Sequence, residues 1–136
     1  MHRQRTSKHI RTLMVDDHAT FLDELECLLA EDREMDVVGR AASGEEALER
    51  SRMLRPDLVL MDLAMPGMGG LEATRRLKAE TGTPRVIMLS LHEHPVYRMA
   101  ALDAGADGFI PKSKLGATLL PTVHSLFPAA TESAVS

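Results

Sequence analysis

Short apolar runs and amphipathic stretches take turns along the whole chain, and this alternation limits the fold more than any other feature. IRTLMV (10–15), MDVVGRA (35–41), DLVLM (57–61), RVIML (85–89) and DGFI (107–110) have the length and residue types of strands. After the first run, Phe21, Leu22, Leu25, Leu28 and Leu29 recur at helical spacing. A second helix starts near Ser43, with Glu45 and Glu46 in a first turn where the helix dipole favours negative charge. GLEATRRLKAE (70–80) turns Leu71, Thr74 and Leu77 inward and is stopped by Gly82 and Pro84. Pro95 opens a fourth helix that ends at Gly105, and Leu115, Leu119, Val123 and Leu126 outline a fifth. Pro121 lies inside that last pattern, where it kinks the helix or restarts it. DLVLM and RVIML are apolar through their centres, as strands covered on both faces are. The pattern therefore specifies an α/β fold: a parallel sheet with helices on both faces, joined by right-handed crossovers.

A chain of 136 residues fits one domain with a single real core, expected over 10–127 between a basic tail (1–9) and a C-terminal tail or linker (128–136). No apolar stretch approaches the roughly 18 residues of a membrane span. The leader MHRQRTSKHIR carries no signal-peptide core. A cytoplasmic protein without membrane association is expected. Residues 1–11 hold four of the 16 Lys/Arg and no acid, which leaves the remainder at a net charge of −8. An acidic body argues against nucleic-acid binding by the domain itself. The single cysteine excludes an internal disulfide and a Cys-rich zinc site. Cys27 falls opposite the leucine stripe of the first helix and is expected on the surface.

In an open α/β sheet, ligands bind beyond the carboxyl ends of the strands, where strand order reverses. Strand one ends in Asp16 and Asp17, strand three in Asp62 and strand four in Ser90, and strand five is followed by Lys112. Three carboxylates brought together repel, and a divalent cation removes the conflict. Oxygen donors without histidine or cysteine favour Mg²⁺, with Mn²⁺ as a substitute. Lys112 supplies a point charge for a phosphoryl oxygen and Ser90 a hydroxyl. A carboxylate nucleophile, a cation and a lysine together make a phosphoryl-transfer site. Asp17 is expected to touch the metal directly and Asp16 to act through water.

LMVDDH, LVLMDLAMPGMGG, IMLS and GADGFIPKS resemble, in order and spacing, the receiver domain of two-component response regulators. DDH and PKS are most similar to the NarL/FixJ subfamily. The resemblance covers about residues 10–127 and implies a flavodoxin-like (βα)5 sheet in the order 2-1-3-4-5. It implies that Asp62 accepts a phosphoryl group from the phosphohistidine of a sensor histidine kinase. Asp17, Asp62 and the backbone carbonyl of Ala64 would hold Mg²⁺, with Asp16 in support. Lys112 would contact the phosphoryl group, Ser90 would move to hydrogen-bond it, and Phe109 would swing inward behind it. Many relatives have tyrosine at that last position, so the hydroxyl that would report the switch is missing here.

The implied partners are the kinase, an output domain or target protein, and a second copy of the chain. The second copy would dock through the fourth helix, fifth strand and fifth helix, or through the first and fifth helices. Members of the subfamily usually continue into a helix-turn-helix domain. PAATESAVS is too short for one, which fits either a stand-alone receiver or a chain cut in a linker.

Plainer readings compete at single positions. Asp62 could cap the turn after its strand, and Asp16 the first helix. His92 and His94 lack a third ligand and read as loop and helix-cap residues, although His92 could border the phosphoryl group. Among whole functions, a Mg²⁺-dependent phosphohydrolase usually has an Asp-x-Asp motif, and Ala64 stands at the second position. A scaffold without phosphorylation does not need the intact acidic set. A flavin domain would need a phosphate-cradling glycine loop. A phosphoacceptor without independent substrate turnover is the reading the residues favour.

Overall fold

The structure, a computed structural model, describes residues 9–80 and 84–128; the basic leader to Lys8, the Gly82 helix stop and the tail from Ala129 lie outside them. The elements follow in strict alternation: β1 (Ile10–Val15), α1 (Ala19–Leu29), β2 (Met35–Ala41), α2 (Gly44–Leu54), β3 (Leu58–Asp62), α3 (Gly70–Ala79), β4 (Arg85–Ser90), α4 (Pro95–Asp103), β5 (Gly108–Pro111) and α5 (Leu115–Leu126). A single 3₁₀ turn, Lys112–Lys114, joins β5 to α5. The strands form one parallel sheet in the order β2-β1-β3-β4-β5, the flavodoxin-like arrangement. The chain moves outward from β1 to β2 and then returns past β1 to β3. The reversal therefore lies between β1 and β3, the place where such sheets bind ligands.

Side chains alternate between the two faces of a strand, and each face has its own core. On one face Met14, Leu60, Ile87 and Ile110 pack with Leu22, Leu25 and Leu29 of α1 and with Leu119 and Val123 of α5. On the other, Leu13, Val59, Met61 and Met88 pack with residues of α2, α3 and α4, among them Leu48, Leu77 and Ala101. Central β3 is buried along its whole length, whereas edge strand β2 is mostly half-buried. Cutting a wholly buried residue such as Leu60 back to alanine would cost about 2–5 kcal/mol.

Side-chain caps start two of the helices. Ser43 caps α2 by accepting from the Glu46 N–H at 3.1 Å, and the Glu46 carboxylate accepts from the Ala42 N–H at 2.9 Å. His94 caps α4, its Nδ1 accepting from the Val96 N–H at 3.1 Å, and Pro95 follows as the first helical residue.

Three expectations are refined. In α3 Ala73, Thr74 and Leu77 are buried, while Leu71 at the first turn packs against the core but stays half-buried. β3 and β5 each begin and end one residue later than their apolar runs suggest, so Asp62 is itself the last strand residue. Finally, α5 is one continuous helix through Pro121 and does not restart there. Pro121 has no N–H to donate to the Ala117 carbonyl, but both residues are exposed and water can serve that carbonyl.

Candidate functional site

Parallel pairing brings the strand ends to one edge. The ladder sets Val15 beside Met61, Asp62 beside Leu89 and Ser90 beside Pro111, so Asp16, Asp62, Ser90 and Lys112 emerge together. Alternation then sorts them. Asp62 follows Leu58 and Leu60 onto the α1/α5 face, and Asp16 follows Met14 onto the same face. Ser90 follows Val86 and Met88 onto the α4 side, where Phe109 also lies.

The turn after β3 holds its start tightly. Gly67 has φ +73°, and a Cβ on Gly70 would stand 2.1 Å from the Asp62 carbonyl oxygen. Gly70 also donates its N–H to the Leu63 carbonyl at 3.1 Å, while Leu63 donates to Leu89 at 2.8 Å.

Lys112 ties the acids together. Its ammonium donates to Asp16 Oδ2 at 2.7 Å and stands 3.2 Å from Asp62 Oδ1. Side-chain exposure is 11% for Lys112, 0% for Asp16 and 8% for Asp62, so this is a desolvated triad. Burial pushes the Asp62 carboxyl up, the Asp16 charge adds to the rise, and Lys112 only partly offsets it, leaving a pKa of about 6. Burial alone would lower the Lys112 pKa, but the hydrogen bond to Asp16 and the charge of Asp62 outweigh it and raise it.

Asp16 serves two neighbours: Oδ2 takes Lys112, while Oδ1 accepts from the His18 N–H at 2.8 Å at the entry to α1. Asp16 thus closes the turn before α1 and serves the site with one side chain, but it does not cap the helix, whose N-cap is His18. Among the described residues no backbone N–H donates to the Asp62 carboxylate, so it does not cap its turn.

The remaining residues surround this triad. Asp17 is exposed, with Oδ1 3.3 Å from His18 Nδ1, which is also 3.1 Å from Asp16 Oδ1. Asp16, Asp17 and His18 therefore offer three donor atoms within 4.8 Å of one another, a grouping able to hold a metal ion. A cleft of about 300 Å³ opens beside the acid pair, bordered by Arg40, Glu46 and Arg50. Ala64 lies exposed in the turn beyond Asp62. Ser90 is buried, and its Oγ accepts from the His92 N–H at 3.0 Å. Phe109 is buried, with the Arg98 guanidinium 5.1 Å from its ring centroid. His92 stacks on Tyr97 at 4.8 Å, and His94 is spent on its cap. Cys27 is exposed, as expected.

Two residues next to this constellation were not read from sequence as part of it. His18 carried no signal beyond its place after the acid pair. Phe21 reads as one more member of the α1 apolar stripe, yet its ring lies beneath Lys112, 4.1 Å from Nζ to centroid.

A sheet of this order with acids and a lysine at its switch point defines a receiver-type signalling domain. Comparison with known proteins agrees: the sequence profile of the response regulator receiver domain matches residues 12–123, and the chain belongs to that family. It is similar to the response regulator GacA of Pseudomonas viridiflava, 40% identical over 118 residues, which cover 87% of this chain and 55% of GacA. It is also similar to the response regulator protein VraR of Staphylococcus saprophyticus, 36% identical over 87% of this chain and 56% of VraR. The chain thus spans about half the length of these curated relatives. Among solved structures it resembles a LuxR-family two-component response regulator from Aurantimonas sp. SI85-9A1, with a TM-score of 0.84, 32% identity, and coverage of 89% of this chain and 86% of that one. The response regulator domain of Thermotoga maritima CheB gives a TM-score of 0.79 and 34% identity, covering 86% and 95% of the two chains. Among the described residues no helix is long and apolar enough to cross a membrane.

Proposed function

We propose that this receiver domain takes a phosphoryl group onto Asp62 from the phosphohistidine of a sensor histidine kinase. The observation that carries the reading is the Lys112 ammonium, desolvated between Asp62 at 3.2 Å and Asp16 at 2.7 Å at the switch point of the sheet. In the transfer an Asp62 carboxylate oxygen forms the new bond to phosphorus, and the bond from phosphorus to the histidine nitrogen breaks. Lys112 pairs with the phosphoryl oxygens as they arrive, and burial of β3 keeps the acceptor still.

The residues fit a divalent cation. The donors at the mouth are mainly hard carboxylate oxygens, and Asp62 is already pushed up in part by the Asp16 charge, an imbalance that one cation offsets. Asp17, Asp62 and the Ala64 carbonyl would hold Mg²⁺, with Asp16, whose oxygens are both engaged, acting through water; Mn²⁺ would substitute. When bound, the ion supplies charge neutralisation for the carboxylates and the phosphoryl oxygens. The same constellation would serve the slow hydrolysis of the phosphorylated residue, without turnover of any separate substrate.

The readout follows the other face of the sheet. Ser90 would leave its turn to meet the phosphoryl group, and Phe109 would repack under α4. The exposed apolar residues Val96, Met99 and Leu102 of α4 mark the surface that then engages an output domain, a target protein or a second copy. A self-association through α1 and α5 is the competing geometry. The protein would act in the cytoplasm and regulate transcription through an output domain or partner, with no direct nucleic-acid binding by the receiver domain itself.

Incubation with Mg²⁺ and phosphoramidate should add one phosphoryl mass to wild type and none to Asp62→Ala. An unlabelled wild type, or equal labelling of both, would sink the reading.

A further inference from the structure

Phe21 stands where α1 approaches the start of α5. It is the third residue of α1, half-buried against the core that α1 and α5 share. Its ring lies 4.1 Å from Lys112 Nζ, the same nitrogen that donates to Asp16 at 2.7 Å and faces Asp62 at 3.2 Å. Three groups from α1, the end of β1 and the end of β3 thus surround one ammonium.

A lysine head is a compact charge on a flexible stem, and nothing in its covalent structure fixes where it stops. Two carboxylates attract it, but attraction alone leaves it free to slide between them or to tip toward water. An aromatic face closes a further side. Its quadrupole attracts the cation, and its apolar surface keeps water from competing for the N–H groups. With only 11% of the lysine side chain exposed, the contact belongs to the desolvated, stronger end of its range. An aliphatic residue at this place would fill similar volume without the attraction.

We propose that Phe21 is a positioning residue for Lys112: its ring holds the ammonium against Asp16 and Asp62 and so sets the rate at which Asp62 takes up a phosphoryl group. This rests on the phosphoacceptor reading above. Because Phe21 acts through the lysine and not through the carboxylates that would hold the cation, Mg²⁺ affinity should not follow it.

The test uses the whole chain with Phe21→Leu and Phe21→Tyr, each alone and combined with Lys112→Ala. Labelling by phosphoramidate at saturating Mg²⁺ is followed by intact mass, and the Lys112 ε-methylene shift by NMR. Phe21→Leu should slow labelling about three- to tenfold, whereas Phe21→Tyr, which keeps the ring, should restore most of the rate. In the Lys112→Ala background Phe21→Leu should change nothing further. The ring-current displacement of the lysine signal should be present in wild type and lost in Phe21→Leu.

Equal rates for wild type and Phe21→Leu, the same slowing with and without Lys112, or an undisplaced lysine signal in wild type would each overturn the proposal. A wild type that takes no label at all overturns the phosphoacceptor reading, and this one with it, and is recognised because the failure is already present before any change at position 21.

Discussion

Lys112 donates to the carboxylate of Asp16 at 2.7 Å across 96 positions of sequence, with 11% of one side chain and 0% of the other exposed. A pair so thoroughly removed from water is costly to half-remove, because the partner left behind keeps its charge and loses its compensation. Lys112→Met should therefore lower stability at pH 7 by about 3 kcal/mol. The deficit should shrink at about pH 5, where Asp62 carries its proton. Urea denaturation at the two pH values measures both, and a pH-independent loss would contradict the charge argument.

Asp62 should be a stability defect at neutral pH when no divalent cation is present. Its folded pKa of about 6 lies above the ordinary 3.8, first because of burial and then because of Asp16. The sign follows from linkage: stability is greatest below the ordinary value and is lost as pH rises through the folded one. Asp62→Asn should then be more stable than wild type by about 1–3 kcal/mol at pH 7.5 in chelator, and nearly equal to it at pH 4. Mg²⁺ should close the gap by stabilising wild type alone. Thermal melts with chelator and with Mg²⁺ decide the matter.

Asp107 works in the opposite direction. It accepts from Lys78 at 2.8 Å, from Arg85 at 3.1 Å and from the Val86 N–H at 2.8 Å. Burial would raise its pKa, but these donors outweigh it and hold the carboxyl below the usual range. Its contribution is therefore complete above the ordinary value and is lost as pH falls through the lowered one. Asp107→Asn should cost about 1–3 kcal/mol at pH 7. The difference from wild type should fade in acid, as pH falls below the ordinary carboxylate value of 3.8, in denaturation curves that tolerate low pH.

Two glycines should respond to alanine with opposite signs. At Gly70 the new Cβ would meet the Asp62 carbonyl oxygen at 2.1 Å, a backbone atom that cannot move without moving the strand end. Gly70→Ala should destabilise by about 3 kcal/mol or more and disturb Asp62 itself. At Gly116, near the start of α5, nothing lies within 4 Å of the added carbon. Gly116→Ala should stabilise by about 0.5–1 kcal/mol through backbone entropy. Melting temperatures of the two variants, measured together, check both.

The strands and their number could be read from residues because apolar runs and turn residues are local signals, whereas their order followed from the resemblance to the receiver family. The acids and Lys112 could be read because each closes or follows such a run. Phe21 could not be assigned to the site, since nothing local separates a ring that packs under a lysine from one that packs under a leucine. The dual use of Asp16 was equally hidden: closing a turn and ion pairing demand the same residue type, and only the placement of Lys112 shows that both occur. Leu71 packs against the core yet stays half-buried, because helical spacing does not say how completely the first turn is covered. The unbroken α5 depended on Pro121 and Ala117 both facing solvent, which the proline alone does not reveal.

The alternation that places Asp16 and Asp62 on the α1/α5 face, and Ser90 and Phe109 on the α4 face, has a thermodynamic corollary. Two cores separated by a single layer of strands share almost no side-chain neighbours, so substitutions in one should add arithmetically to substitutions in the other. Energetic coupling between the faces is then confined to the strand tips, and a departure from additivity in paired variants marks the residues through which one half of the molecule senses the other.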